Sequence, residues 1–132
     1  MVVFDTSVMI DQLRTDCYAQ RMADNEQLVR TCSVVLAELW RGVTTPAERA
    51  FLRTLELSYP IFTLTEKNWL DSGQILRKIQ SDHGFEPRKL RDLHFDVLIA
   101  LTARSRGAML ITSNRGDFEL IREYRDFKLE VW

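Results

Sequence analysis

The chain has 132 residues, 45% hydrophobic and 28% charged, which is room for one domain with a real core and too little for two of ordinary size. Its formal charge of −1 argues against a nonspecific nucleic-acid coat, which would carry a basic excess. No apolar run approaches the ~20 residues that a membrane helix needs, and Asp5 interrupts the N-terminus before a signal-like region forms, so a soluble, unprocessed protein with no membrane partner is expected. Cys17 and Cys32 lack ligand-like spacing and one pair makes no disulfide framework, which points to reduced thiols in a cytoplasmic protein.

Apolar strands alternate with helical patterns along the whole chain, with no repeat, low-complexity tract or linker between them. Strands are expected at 2–5, 28–32, 60–63, 108–112 and 127–131, and helices near 7–14, 18–26, 34–42, 46–57, 66–82 and 93–106. The first strand, Met1-Val2-Val3-Phe4, closes on Asp5 and two hydroxyls, Thr6 and Ser7, at the kind of strand end where parallel sheets place ligands. Asp5 is also a natural helix cap. After the second strand, Glu38 stands inside Val34-Val35-Leu36-Ala37-Glu38-Leu39-Trp40, where its charge needs either a metal or a partner such as Arg41. Thr45-Pro46-Ala47-Glu48 reads as a capping box with proline in the first turn, so a helix starts at Pro46.

The stretch His83-Gly84-Phe85-Glu86-Pro87-Arg88-Lys89 reads as loose. Beyond it, Asp92 is taken as the cap of a helix from 93, or else as a fifth acid beside Asp96 one turn on. Asp96 edges the apolar helix Val97-Leu98-Ile99-Ala100-Leu101-Thr102-Ala103, which Gly107 closes with positive φ. Asp117 follows the strand Met109-Leu110-Ile111-Thr112 in Ser113-Asn114-Arg115-Gly116-Asp117-Phe118, read as a loop. Short strands alternating with helices imply right-handed crossovers and a mainly parallel sheet covered on both faces.

Asp5, Glu38, Asp96 and Asp117 would then meet at one end of the sheet. Hard dications such as Mg²⁺ and Mn²⁺ favour a few carboxylates completed by waters and substrate phosphate. Such an ion acidifies a coordinated water and neutralises phosphoryl charge, which makes phosphodiester hydrolysis the natural chemistry. With four of the 19 acids set aside as neutralised, the remaining 15 face 18 Lys and Arg, a surface that permits phosphate binding.

The segments Val3-Phe4-Asp5-Thr6-Ser7, Ala37-Glu38-Leu39, Asp96-Val97-Leu98-Ile99-Ala100 and Thr112-Ser113-Asn114-Arg115-Gly116-Asp117-Phe118 resemble, in order and over nearly the whole chain, the PIN domain superfamily, and within it the VapC-type toxins of toxin–antitoxin pairs. The resemblance implies a single PIN domain over 1–132: a three-layer α/β/α sandwich with a five-stranded sheet in the order 3-2-1-4-5. It implies an Mg²⁺- or Mn²⁺-dependent endoribonuclease, with Asp5, Glu38, Asp96 and Asp117 binding metal directly or through water and Thr6, Ser7 and Asn114 orienting them. Cleavage by activated water, leaving a 5′-phosphate and a 3′-hydroxyl, follows from the same likeness, as do a homodimer and a cognate antitoxin that covers the acidic groove. A catalytically weak RNA-binding or assembly module on the same fold is the alternative. An aspartyl-phosphate enzyme is disfavoured because position 7 is Ser and the Asp-x-Asp pattern is missing.

Other residues compete for attention. His83 and His94 have neither paired spacing nor an obvious zinc partner, and His83 suits a helix end. Of the basic residues Arg14, Arg41, Arg88, Lys89, Arg91 and Arg115, the last is the first choice for gripping phosphate, against a salt bridge to a nearby acid. Trp69, Trp132, Phe51 and Phe85 could stack on bases, although aromatic residues in a domain of this size more often anchor a core or interface.

Overall fold

β1 (Val2–Phe4) is three apolar residues with every side chain buried, and the rest of the sheet is laid out around it. The computed structural model describes residues 1–132. In chain order, β1 is followed by α1 (Thr6–Thr15), α2 (Ala19–Ala23), β2 (Val29–Cys32), α3 (Ser33–Gly42), α4 (Pro46–Ser58) and β3 (Ile61–Phe62). Then come α5 (Glu66–His83), α6 (Pro87–Ser105), β4 (Met109–Thr112), α7 (Arg115–Tyr124) and β5 (Leu129–Val131). The five strands form one sheet in the order β3-β2-β1-β4-β5, and every pairing is parallel.

Parallel strands buried on both faces need apolar residues at consecutive positions, which is why β1 and β4 show runs rather than alternation. Val2 pairs with Val29 on one side and Met109 on the other, and Phe4 pairs with Ile111. One step further along this register, Asp5 leaves the sheet beside Thr112, the last residue of β4. Right-handed crossovers send the helices after β1 and β2 to one face and those after β3 and β4 to the other. The packing agrees: α1 touches α3 and α3 touches α4, while α5, α6 and α7 touch one another.

The core runs through both layers, and α6 is its axis: Leu93, Val97, Ile99 and Ala103 are fully buried. Removing a side chain as large as Ile99 from water stabilises the fold by about 1.5–3 kcal/mol, so α6 cannot rotate without losing several such contacts. Asp96 is therefore fixed in direction by its neighbours. The capping box at Thr45 forms as expected, Glu48 N–H donating to Thr45 Oγ1 at 3.2 Å and Thr45 N–H to Glu48 Oε1 at 3.1 Å. Gly107, with φ of +69°, closes α6 into β4.

Two expectations are corrected. α6 begins at Pro87 rather than 93, because proline is pre-organised for a first helical turn and Leu90 continues the apolar stripe of Leu93 and Val97. Asp92 therefore caps nothing and lies within the helix. Residues 115–124, read as loop, form α7; Gly116 hid a pattern in which Phe118 and Ile121 are buried one turn apart. No helix is long and apolar enough to cross a membrane.

Candidate active site

The site is built where β1 and β4 end. Asp5 occupies the N-cap position of α1, yet its side chain makes no cap hydrogen bond. It turns instead toward hydroxyls, with Ser7 Oγ donating to Oδ2 at 2.7 Å and Thr112 Oγ1 donating to the same atom at 2.9 Å. Both hydroxyls are themselves held, Ser7 Oγ by Ser113 N–H at 3.2 Å and Thr112 Oγ1 by Asn114 N–H at 2.9 Å. Asp5 is only 3% exposed, and burial raises its pKa against the opposing pull of these donors.

Glu38 comes from the middle of α3, which starts the moment β2 ends. Thr6 Oγ1 donates to its Oε1 at 2.8 Å, tying α3 to the start of α1. Its pKa is raised by burial, with the charge of Asp5 adding to the effect. Arg41 is not its partner in an ion pair: the guanidinium lies over the Phe95 ring, 5.4 Å from the centroid.

Asp96 is the focus of the cluster. α3 packs on α6, so Asp96 comes within range of the other acids; burial pushes its pKa up to about 8, helped by the charges of Asp5, Asp117 and Glu38. No side chain hydrogen-bonds to it. Asp117 sits in the first turn of α7, where Lys89 Nζ meets its Oδ1 at 2.6 Å and Asn114 Nδ2 its Oδ2 at 3.0 Å. Asp92, a turn before Asp96, adds negative charge felt by Glu38.

The donor set is carboxylate oxygen throughout, since His94 is engaged with Ser72 at 3.0 Å and His83 is stacked on Phe85. Oxygen donors with too much negative charge suit a hard dication. No three of the acids close into a ready-made ligand cage, and Mg²⁺ characteristically takes one or two carboxylates and keeps its waters. The residues present fit such an ion on those terms.

The PIN domain family matches residues 2–124. The chain belongs to the PIN domain family. Its solved structural relatives include a chain of DNA-bound VapBC from Salmonella typhimurium, 23% identical, with a TM-score of 0.75 over 99% of this chain and 97% of that one. A chain of VapBC2 from Rickettsia felis, bound to a promoter DNA fragment, is also 23% identical, with a TM-score of 0.72 over 100% and 99% of the two chains. A chain of VapBC-5 from Mycobacterium tuberculosis, a toxin–antitoxin system, is 27% identical, with a TM-score of 0.59 over 98% and 94%. No curated protein matches the sequence.

The residues of this PIN domain singled out in sequence are thus sorted by their contacts. Thr6, Ser7 and Asn114 each hold one of the acids. Arg115 turns away, pairing with Glu119 at 3.0 Å with most of its side chain exposed. Trp132 packs on Phe4 and Tyr18, and Trp69 meets His94 edge-on. One residue of the site escaped the sequence reading, Thr112, which belongs to β4 and grips Asp5 across the sheet; Lys89 stood out in sequence only as one of several basic residues able to grip phosphate, without its partner Asp117 on another helix. Thr112 had a usable signal, being a hydroxyl at the end of the strand that neighbours β1.

Proposed function

We propose that this PIN domain is a metal-dependent endoribonuclease and the toxin of a type II toxin–antitoxin pair. The observation that carries the proposal is the gathering around Asp96 of three further carboxylates, from the end of β1, from α3 and from the first turn of α7, in a buried setting that gives Asp96 no donor of its own. Such a pocket is costly to hold empty of positive charge.

Asp5, Glu38 and Asp96 would hold Mg²⁺ or Mn²⁺, one or two of them directly and the rest through its waters. When bound, the ion supplies an acidified water and neutralises charge on the scissile phosphate. The protein's own contribution is orientation. Ser7 and Thr112 fix one oxygen of Asp5 and leave Oδ1 without a side-chain donor; Thr6 sets the direction of Glu38. Ligands held this way need little reorganisation during the reaction.

A partner is proposed on similar grounds. An apolar trough lined by Ile10, Leu13, Leu39, Val43 and Leu52 opens beside Glu38 and Arg14, and the resolved relatives are toxin–antitoxin assemblies. An antitoxin segment lying in the trough could deliver a basic side chain to the acids. Leu57, Ile61, Trp69 and Leu70 are exposed apolar residues between the end of α4 and the start of α5 and support a homodimer. The free thiols of Cys17 and Cys32 suit a reducing cytoplasm.

Purified protein should cut single-stranded RNA with Mn²⁺ or Mg²⁺, stop in EDTA, and leave DNA of the same sequence intact. RNA that is bound but uncut under all these conditions would replace the enzyme with a binding module.

A further inference from the structure

Asp117 stands apart from the other acids because both of its oxygens are already engaged, one by the Lys89 ammonium at 2.6 Å and the other by the Asn114 amide at 3.0 Å. Asp5 receives two neutral hydroxyls on a single oxygen, Glu38 receives one, and Asp96 none. A charge-assisted bond of this length is strong, so Asp117 is the one member of the quartet whose charge is already compensated. Lys89 comes from α6, seven residues before Asp96. Two helical turns separate them, so they lie on one face, and the positive charge of Lys89 reaches Asp96.

An ammonium has three donors, and Lys89 spends one on Asp117. Its side chain is 40% exposed, so the ammonium held beside Asp117 stays partly open to solvent next to the acidic cluster. A phosphodiester approaching Asp5, Glu38 and Asp96 meets like charge, and a cation pinned beside them on Asp117 offsets it. Arg115, the other nearby base, is already paired on the surface with Glu119.

Building on the nuclease reading above, we infer that Lys89 contacts the RNA phosphate at the cleavage site, and that Asp117, with Asn114, is a positioning residue that aims Lys89 rather than a ligand of the dication. The inference separates the four acids into a metal-binding three and a lysine-holding one.

Two measurements test it, each on variants first shown by circular dichroism to be folded. Calorimetric titration with Mn²⁺ should find D96N weakened at least about tenfold, while D117N and K89M stay within about threefold of wild type. A loss in D117N as large as that in D96N would make Asp117 a metal ligand and overturn the assignment. The second measurement is the salt dependence of binding to a fluorescein-labelled single-stranded oligoribonucleotide, read by anisotropy in the D96N background. Adding K89M should reduce the slope of log K against log[salt] by ~0.7, the loss of one phosphate contact, and K89R should restore it. An unchanged slope with K89M removes Lys89 from the phosphate. Failure of the nuclease reading itself gives a different result, D96N cleaving RNA as fast as wild type, and the anisotropy slopes are measured independently of it.

Discussion

Asp5 and Asp117 are the same chemical group at the same edge of the same sheet, and the protein treats them oppositely. Asp5 is buried and held by Ser7 and Thr112, donors that fix its direction without cancelling its charge. Asp117 is about a quarter exposed and neutralised by Lys89. A carboxylate left without a compensating cation is a group waiting for one; a carboxylate already paired has a structural task. Asp96 extends the first kind, with burial and three acidic neighbours working against its ionisation.

The largest effect should come from removing that uncompensated charge. Asp96→Asn is expected to lower RNA cleavage by about 10³-fold or more, measured as initial rate in saturating Mn²⁺. The same change should stabilise the metal-free protein at alkaline pH. With the Asp96 pKa at about 8 against an ordinary 3.8, the folded state binds more protons than the unfolded chain between those values, so its stability falls as pH rises through that window. Asp96→Asn removes this contribution. In EDTA, its Tm advantage over wild type should grow from pH 5 to pH 8 and then level off. A constant difference across that range would mean that Asp96 is not the strained acid, and the contrast with Asp117 would lose its basis.

A smaller effect is expected from the hydroxyls that aim Asp5. Thr112→Val keeps the shape and deletes the donor to Oδ2, while leaving the N–H of Asn114 without its acceptor. Losses of about 10- to 100-fold in Mn²⁺ affinity or activity are characteristic of such supporting contacts. Ser7→Ala should fall in the same range, and the double variant should cost less than the two singly, because both act on one oxygen. Full additivity, read from a double-mutant cycle in Mn²⁺ affinity, would show that the two hydroxyls do not share a task.

The half of the site around Asp5 was legible from the sequence because its signals are local: an apolar run ending in Asp-Thr-Ser, and Glu38 amid apolar residues. The α4 capping box was accessible for the same reason, as a short pattern with few alternatives, whereas the sheet order came with the family resemblance and not from any local pattern. Around Asp117 the residues stood out in sequence but their pairing did not. Gly116 concealed the first turn of α7, and the polar segment before Leu90 concealed the first turn of α6, so both helices that carry the Lys89–Asp117 pair were read too short or not at all. Their contact spans 28 residues and has no periodic signature. Thr112 lies between these cases, since its hydroxyl was visible but its partner required the β1–β4 register.

The smallest effect tests where the comparison ends. Arg115 is two residues from Asp117 and adjacent to Asn114, and by position alone it is the better candidate to touch RNA. The structure gives it an i,i+4 pair with Glu119, with its own side chain 66% exposed and that of Glu119 44%. Water screens a pair of this kind, which is worth ~0.3–0.5 kcal/mol on a helix surface. Arg115→Ala should therefore shift the denaturation midpoint by little more than experimental error and change cleavage by less than about twofold, whereas K89M shows the loss described above. Should Arg115→Ala instead abolish cleavage while Lys89 proves dispensable, the phosphate would enter along α7 rather than over α6. Asp117 would then be guarding the wrong side of the pocket for a lysine-positioning role, and its engaged oxygens would need to open toward the metal.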